Sequence, residues 1–250
     1  MDIQNKERDI RNEDKLIEFA KLLKSSKYTV VLTGAGMSTE SGIPDFRSKD
    51  GLWRGIDPMK VACREALLND YDIFYEFYKM RVNNLENCKP HIGYDILAKW
   101  EKVGLIKSII TQNVDDFHII AGNKKVFRVH GSINEFSCVD CGKSATKDMF
   151  INKLKCHKCG SDLRPNVVLF GENLPEKELN SAIEEVQNSD LLIVIGTSLL
   201  VSPVNQLIHM TNGKKVYVNN DTSFSHYFDL TFSENVGELL HAVDRFHIQN

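Results

Sequence analysis

The sequence lacks any run of about 18 apolar residues, so no membrane-spanning helix is expected. It also lacks a basic surplus: 31 Lys and Arg stand against 34 Asp and Glu, for a net charge of −3. A sequence-independent grip on nucleic acid needs a basic surface, so direct nucleic-acid binding is not expected. Residues 1–15, MDIQNKERDIRNEDK, lack the apolar core of a secretory leader, and a cytoplasmic protein is expected. Disulfides are rare in that reducing compartment, so the six cysteines are read as metal ligands, buried thiols or catalytic groups. No internal repeat and no low-complexity tract is found.

What remains is an ordinary globular composition, 42% hydrophobic and 26% charged, in a chain of 250 residues. That length suits one large domain carrying a smaller insert. Residues 14–25 have helical periodicity, with Leu16, Ile17, Phe19, Ala20, Leu22 and Leu23 on one broad face. Residues 1–13 are a charged stretch, expected as a frayed helix or a tail. Apolar runs at 28–32, 105–110, 191–195 and 215–218 each end in small or polar residues. Buried strands entering turns have that signature. Helical stretches at 175–188 and 203–211 separate some of these runs.

Strands alternating with helices predict an α/β fold, a Rossmann-like parallel sheet with helices on both faces. Two stretches break the alternation: 46–104 is helical in character, and 134–165 holds four of the cysteines. We expect a discontinuous sheet domain (14–45, 105–133 and 166–246) and a small inserted domain. The insert would combine a helical module (46–104) with a zinc ribbon (134–165).

Cys138-Val139-Asp140-Cys141 and Cys156-His157-Lys158-Cys159 are two C-x-x-C pairs separated by 14 residues. Each pair places two thiolates on one metal, and two pairs complete the tetrahedron that Zn²⁺ prefers. With every position filled by protein the site is closed, so the zinc is read as structural. His157 lies between ligands and is not assigned as one.

Gly34-Ala35-Gly36 follows the first apolar run. Small residues let a backbone approach a pyrophosphate, and a helix beginning near Met37 would offer free N–H groups to it. The dehydrogenase fingerprint would need a third glycine where Thr39 stands, which disfavours hydride transfer. Further on stand Pro44-Asp45-Phe46-Arg47, Thr111-Gln112-Asn113-Val114-Asp115, Val129-His130-Gly131, Leu169-Phe170-Gly171-Glu172, Gly196-Thr197-Ser198 and Val218-Asn219. In this order, together with the cysteine pairs, these segments resemble the sirtuin family of NAD-dependent protein deacylases. The resemblance runs from about residue 14 to residue 240. It departs at Asp116, where the family usually carries the glycine of Q-N-x-D-G-L-H.

The resemblance implies NAD consumed as a co-substrate and acylated-lysine proteins as partners, with a monomer as the leaning of the family. It implies His130 as general base, drawing a proton from a ribose hydroxyl after the acyl oxygen has displaced nicotinamide. The products would be deacylated lysine, nicotinamide and O-acyl-ADP-ribose. Asn113 would position a water or the ribose, Gln112 the ribose, and Asp115 the nicotinamide amide, with Val114 adding backbone contacts. Phe46 would shield the reacting carbon and Arg47 would meet phosphate. Asp45 is either a cofactor contact or a turn cap. Gly34, Ala35, Gly36 and Thr39 would form the pyrophosphate turn. Gly196, Thr197 and Ser198 would hold phosphate and ribose, and Asn219 the adenosine ribose. Val168, Leu169, Phe170 and Gly171 would pair with the substrate backbone as an added strand.

Ala62, then Tyr78 sixteen positions later, then Arg81 three beyond, match the spacing in sirtuins that remove succinyl and malonyl groups. A guanidinium and a phenol can hold a terminal carboxylate by charge-assisted bonds. The same residues also fit an ordinary amphipathic helix. The NAD site alone also suits a protein ADP-ribosyltransferase, or a non-catalytic NAD and zinc scaffold.

Overall fold

The computed structural model describes the backbone of residues 3–49 and 51–248, and the side chains of 13–49 and 51–246. The helices are α1 (Ile3–Ser25), α2 (Pro58–Val61), α3 (Arg64–Asn69), α4 (Tyr71–Leu85), α5 (Ile92–Lys102), α6 (Phe117–Ala121), α7 (Lys147–Ile151), α8 (Glu176–Asn188) and α9 (Val236–Ile248). The strands are β1 (Thr29–Thr33), β2 (Ser108–Thr111), β3 (Val126–Arg128), β4 (Gly131–Cys138), β5 (Ser144–Ala145), β6 (Leu163–Val167), β7 (Leu191–Ile195), β8 (Lys214–Val218) and β9 (Leu230–Phe232).

Six strands form one parallel sheet in the order β3-β2-β1-β7-β8-β9. Every residue of β1 and β7 is buried, which is why both read as unbroken apolar runs. Their side chains divide by parity. Val31, Ile193 and Ile195 pack with Phe19, Leu97, Trp100 and Leu240 of α1, α5 and α9. Val30, Leu32, Leu192 and Val194 face the opposite layer, with Ala182 and Val186 of α8. The expected α/β sheet with helices on both faces is therefore present.

Strand order runs outward from β1 through β2 to β3, then restarts on the other side with β7. Ligands bind at such a reversal, beyond the carboxyl ends of the strands. A second sheet, β5-β4-β6, is antiparallel. Its apolar face shares one core with α2–α4, joining Phe74, Phe77 and Tyr78 to Phe136, Phe150 and Leu163. Helix α5 lies in the stretch 46–104 yet packs in the core of the large sheet through Tyr94, Leu97 and Trp100.

Several boundaries differ from the sequence reading. Leu105 and Ile106 precede strand β2: both N–H groups bond to the Trp100 carbonyl and close the end of α5, after Gly104 turns at φ 84°. The helix expected near Met37 is a 3₁₀ turn spanning Ala35–Ser41, ended by Gly42 at φ 85°. The stretch 203–211 is likewise a 3₁₀ segment, Val204–His209. Strands β3 and β9, three residues each, are too short to carry a periodic signal.

Helices α5 and α9 are joined by a buried polar clamp. Asp244 accepts from the indole N–H of fully buried Trp100 at 2.9 Å and from the Lys99 ammonium. Asp244→Ala leaves the indole donor unpaired. It should lower unfolding stability by about 2 kcal/mol, while Asp244→Asn recovers part of the loss. Urea denaturation measures this, and a wild-type midpoint for Asp244→Ala would contradict it.

Candidate functional site

A single cleft of about 650 Å³ lies over the carboxyl ends of β1, β2, β7 and β8. Every residue named above for cofactor, catalysis or substrate lines it except Gly34. Gly34 lies beneath, buried, where its carbonyl accepts from Asn113 Nδ2 at 3.0 Å.

The two βα turns of the cleft floor touch. Gly36 N–H donates to the Gly196 carbonyl at 2.7 Å. A Cβ on Gly36 would fall 2.7 Å from Gly196 Cα, and one on Gly196 (φ 62°) would fall 2.2 Å from Met37 N. These glycines thus serve turn-against-turn packing. Thr39 needs no such freedom, and its hydroxyl donates to the Gly36 carbonyl at 2.9 Å.

Across the floor, Gln112 Nε2 donates to Thr197 Oγ1 at 3.1 Å. Asn113 Nδ2 donates to Ser38 Oγ at 3.0 Å as well as to Gly34. Asp115 accepts from Ser38 Oγ at 2.6 Å and from the Phe117 N–H at 3.0 Å. Burial pushes the Asp115 carboxyl above the usual carboxylate range, opposed by those two bonds.

His130 stands just before β4. Gly131 follows at φ 76°, where a Cβ would collide with the Asn166 carbonyl at 2.0 Å. The sharp turn leaves the imidazole over the cleft. Nδ1 lies 3.0 Å from the Gln112 carbonyl. A carbonyl only accepts, so Nδ1 carries the proton and Nε2 keeps a lone pair. Burial lowers the imidazole pKa below its ordinary 6.5, with the Gln112 carbonyl opposing. The geometry yields a neutral base with a set tautomer.

Asp116 occupies the left-handed region at φ 64°, which Asp and Asn tolerate better than other side chains. Its carboxylate pairs with Arg128 at 2.9 Å and accepts from Ser132 and Asn134. The side chain is locked from three sides.

Asp45 accepts from the N–H groups of Arg47 and Ser48, so it caps its own turn. Phe46 stacks on Trp53 with centroids 5.1 Å apart, and Trp53 stacks on Phe77 at 5.9 Å. The Arg81 guanidinium lies 5.4 Å from the Phe46 ring and 5.6 Å from both Phe77 and Tyr78. Among the described residues it forms no ion pair. Burial depresses its pKa, opposed by the nearby Tyr78 and Asp115, and burial pushes the Tyr78 phenol up to about 12.

The segment 167–171 is less free than an unpaired strand. Val168, Leu169 and Phe170 already donate to His130, Glu172 and Ala62. The Phe170 carbonyl accepts from Arg64. Glu172 of the F-G-E motif is structural: the Arg164 fork grips it, and it caps Leu169.

The four cysteine sulfurs lie within 4.8 Å of one another, with 138–159 at 3.3 Å and 141–156 at 3.7 Å. Those separations are too long for disulfides at about 2.05 Å. They match the spread of about 3.8 Å around a tetrahedral zinc at about 2.3 Å. The cluster fits one structural zinc. Strand β4 carries it roughly 20 Å from His130, out of reach of the chemistry.

With this geometry in view, a model of the Sir2 family matches residues 34–203. The chain belongs to the Sir2 family. It is 46% identical over 228 residues to an NAD-dependent protein deacetylase of Oceanobacillus iheyensis, covering 88% of this chain and 96% of that one. An NAD-dependent protein deacylase of Pyrococcus furiosus is 42% identical over 217 residues, covering 82% and 87%. A solved complex of Sir2 with a p53 peptide and NAD⁺ superposes with a TM-score of 0.84 at 38% identity, covering 93% and 98%.

In this Sir2 chain the sequence reading missed Ser38, Tyr94 and Trp53. Ser38 lies two residues beyond Gly36 in the 3₁₀ turn, where a lone serine carries no signal of its own. Tyr94 carries no motif and reads as helix core.

Metal analysis of the purified Sir2 chain should give about one zinc per molecule, as four thiolates imply. Cys141→Ser with Cys156→Ser should lose it and melt at a lower temperature. A folded, stable, metal-free sample would refute the structural role.

Proposed function

We propose that this chain removes acyl groups from protein lysine side chains, consuming NAD and giving nicotinamide and O-acyl-ADP-ribose. Succinyl and malonyl groups are preferred over, or taken alongside, acetyl. The observation that carries the reading is the neutral His130, its Nε2 lone pair set over the same cleft as the Asn113–Asp115 amide and carboxylate pair. The names of the relatives support deacylation above ADP-ribosyl transfer or a scaffold role.

NAD supplies an electrophilic ribose carbon bearing a good leaving group. The chain does the rest. Gly34, Ala35, Gly36, Thr39 and Arg47 hold the pyrophosphate turn. Gly196, Thr197 and Ser198 take phosphate and ribose, and Asn219 the adenosine ribose. Asp115 and Val114 take the carboxamide. Gln112 and Asn113 orient the ribose, and Asp45 shapes the loop that carries Phe46. Phe46 excludes water from the reacting carbon. His130 Nε2 accepts the ribose hydroxyl proton. Val168, Leu169, Phe170 and Gly171 seat the peptide. With the N–H groups of Val168, Leu169 and Phe170 and the carbonyls of Leu169 and Phe170 in use, the Val168 carbonyl and the Gly171 backbone are the groups left to meet it.

Ala62, Tyr78 and Arg81 form the end of the acyl pocket. A half-buried guanidinium ringed by aromatics and lacking a carboxylate partner suits an acyl chain that brings its own carboxylate. The shared core of α2–α4 with β4 and β6 supports the small-domain reading, narrowed to exclude α5. We read the protein as a cytoplasmic monomer. No helix of the described residues is long and apolar enough to cross a membrane.

The test is a mass-spectrometric time course with NAD and one peptide carrying acetyl- or succinyl-lysine. Succinyl should be lost faster, and Arg81→Met should slow that reaction about ten-fold or more while sparing acetyl. Faster acetyl loss, unchanged by Arg81→Met, would reduce Arg81 and Tyr78 to packing residues. His130→Ala should abolish turnover with NAD still bound. Because burial lowers the His130 pKa, the base stays neutral below pH 6.5. The rate should therefore fall only as pH drops through a midpoint under 6.5. A midpoint above 6.5 would contradict the assignment.

A further inference from the structure

Tyr94 is fully buried on α5, and its hydroxyl lies 2.7 Å from Ser38 Oγ. A donor count fixes the sense of this bond. With Asp115 ionised, its carboxylate only accepts, so Ser38 donates its one proton there, at 2.6 Å. Ser38 Oγ then has two lone pairs left. Asn113 Nδ2 donates to one at 3.0 Å, and Tyr94 must donate to the other. Ser38 Oγ then has a partner for its proton and for each lone pair.

The first turn of α5 also holds the cofactor turn at two more points. His91 Nε2 donates to the Met37 carbonyl at 2.8 Å, and the His91 N–H donates to Ser41 Oγ at 3.0 Å. Tyr94 therefore ends a run of contacts aimed at residues 37–41. The aromatic rings of His91, Phe117 and His118 pack edge-on around it.

We propose that Tyr94 is a positioning residue for nicotinamide: it donates to Ser38, which directs the Ser38 hydroxyl onto Asp115 and holds that carboxylate ready for a primary carboxamide. The inference rests on the reading of Asp115 as the carboxamide contact. Tyr94 touches no reactant. Its effect passes through Ser38, where aligned hydrogen bonds polarise one another. A Ser38 freed of the Tyr94 donor turns its lone pair to the incoming carboxamide and competes with Asp115 for the same N–H.

The measurement is the inhibition constant for nicotinamide in the full-length enzyme. Wild type is compared with Tyr94→Phe, Ser38→Ala, the double variant and Asp115→Asn, with thermal midpoints recorded alongside. Tyr94→Phe keeps the ring and should raise the constant about five-fold, the loss of one buried hydrogen bond. The double variant should be no weaker than Ser38→Ala alone, because Tyr94 acts through Ser38. A packing role moves the midpoint and leaves the inhibition constant of the folded enzyme unchanged. An unchanged constant in Tyr94→Phe beside a raised one in Asp115→Asn overturns the Tyr94 role and leaves the pocket reading intact. Additive losses in the double variant overturn it too. An unchanged constant in Asp115→Asn overturns the pocket reading and the Tyr94 role with it.

Discussion

The cleft exists because two strand-to-helix turns meet without side chains between them. Gly36 and Gly196 approach so closely that a methyl group on either would overlap the backbone of the other. Their contact sits at the reversal of strand order between β1 and β7. It holds Thr197 beside Gln112 and Gly34 beside Asn113. Widening that contact would part the cofactor turn from the Gln112–Asp115 loop, and the Ser38 bridge could not span both. The chemistry of the floor thus depends on a packing constraint one layer beneath it.

A second set of bonds stitches His130 to the same loop. His130 Nδ1 bonds the Gln112 carbonyl, Ile133 N–H bonds the Val114 carbonyl, and Asp116 takes Ser132 and Asn134. His130 and the Gln112–Asp115 loop are therefore held by adjoining residues of two short segments. Such precision is what orientation-dependent catalysis needs. Asp116 is instructive here. It replaces a residue prized for backbone freedom, yet it keeps the left-handed turn and adds three partners. An ion pair to Arg128 compensates for the strain of a side chain at positive φ.

Much of this was legible in the residues. The central strands announced themselves because both faces are buried, and the cysteine pairs because metal geometry dictates their spacing. Legibility failed where structure is set by tertiary contact. Three-residue edge strands have no period. The 3₁₀ turn at 35–41 differs from an α-helix by the way it packs on Gly196. Tyr94 lies on the buried face of α5 with Leu97 and Trp100, so its pattern is that of core. Only the distance from its hydroxyl to Ser38 reveals a polar task. The segment 167–171 looked open because its partners, Ala62 and Arg64, lie about a hundred residues away in sequence.

The character of the proposed acyl pocket follows from the energetics of Arg81. A guanidinium partly withdrawn from water needs compensation, and here aromatic faces provide part of it. Ring faces meet the plane of the cation, and the Tyr78 phenol bonds to it. A short neutral acyl group would bring it no opposite charge. A carboxylate at the chain end would meet the guanidinium in a fork and add a charge pair. Phe46 is one of the ring faces and is also the residue proposed to cover the reacting carbon. On the proposed reading, docking a carboxylate on Arg81 would stiffen the wall of the reaction chamber along with the pocket, so that acyl recognition and water exclusion would share one side chain.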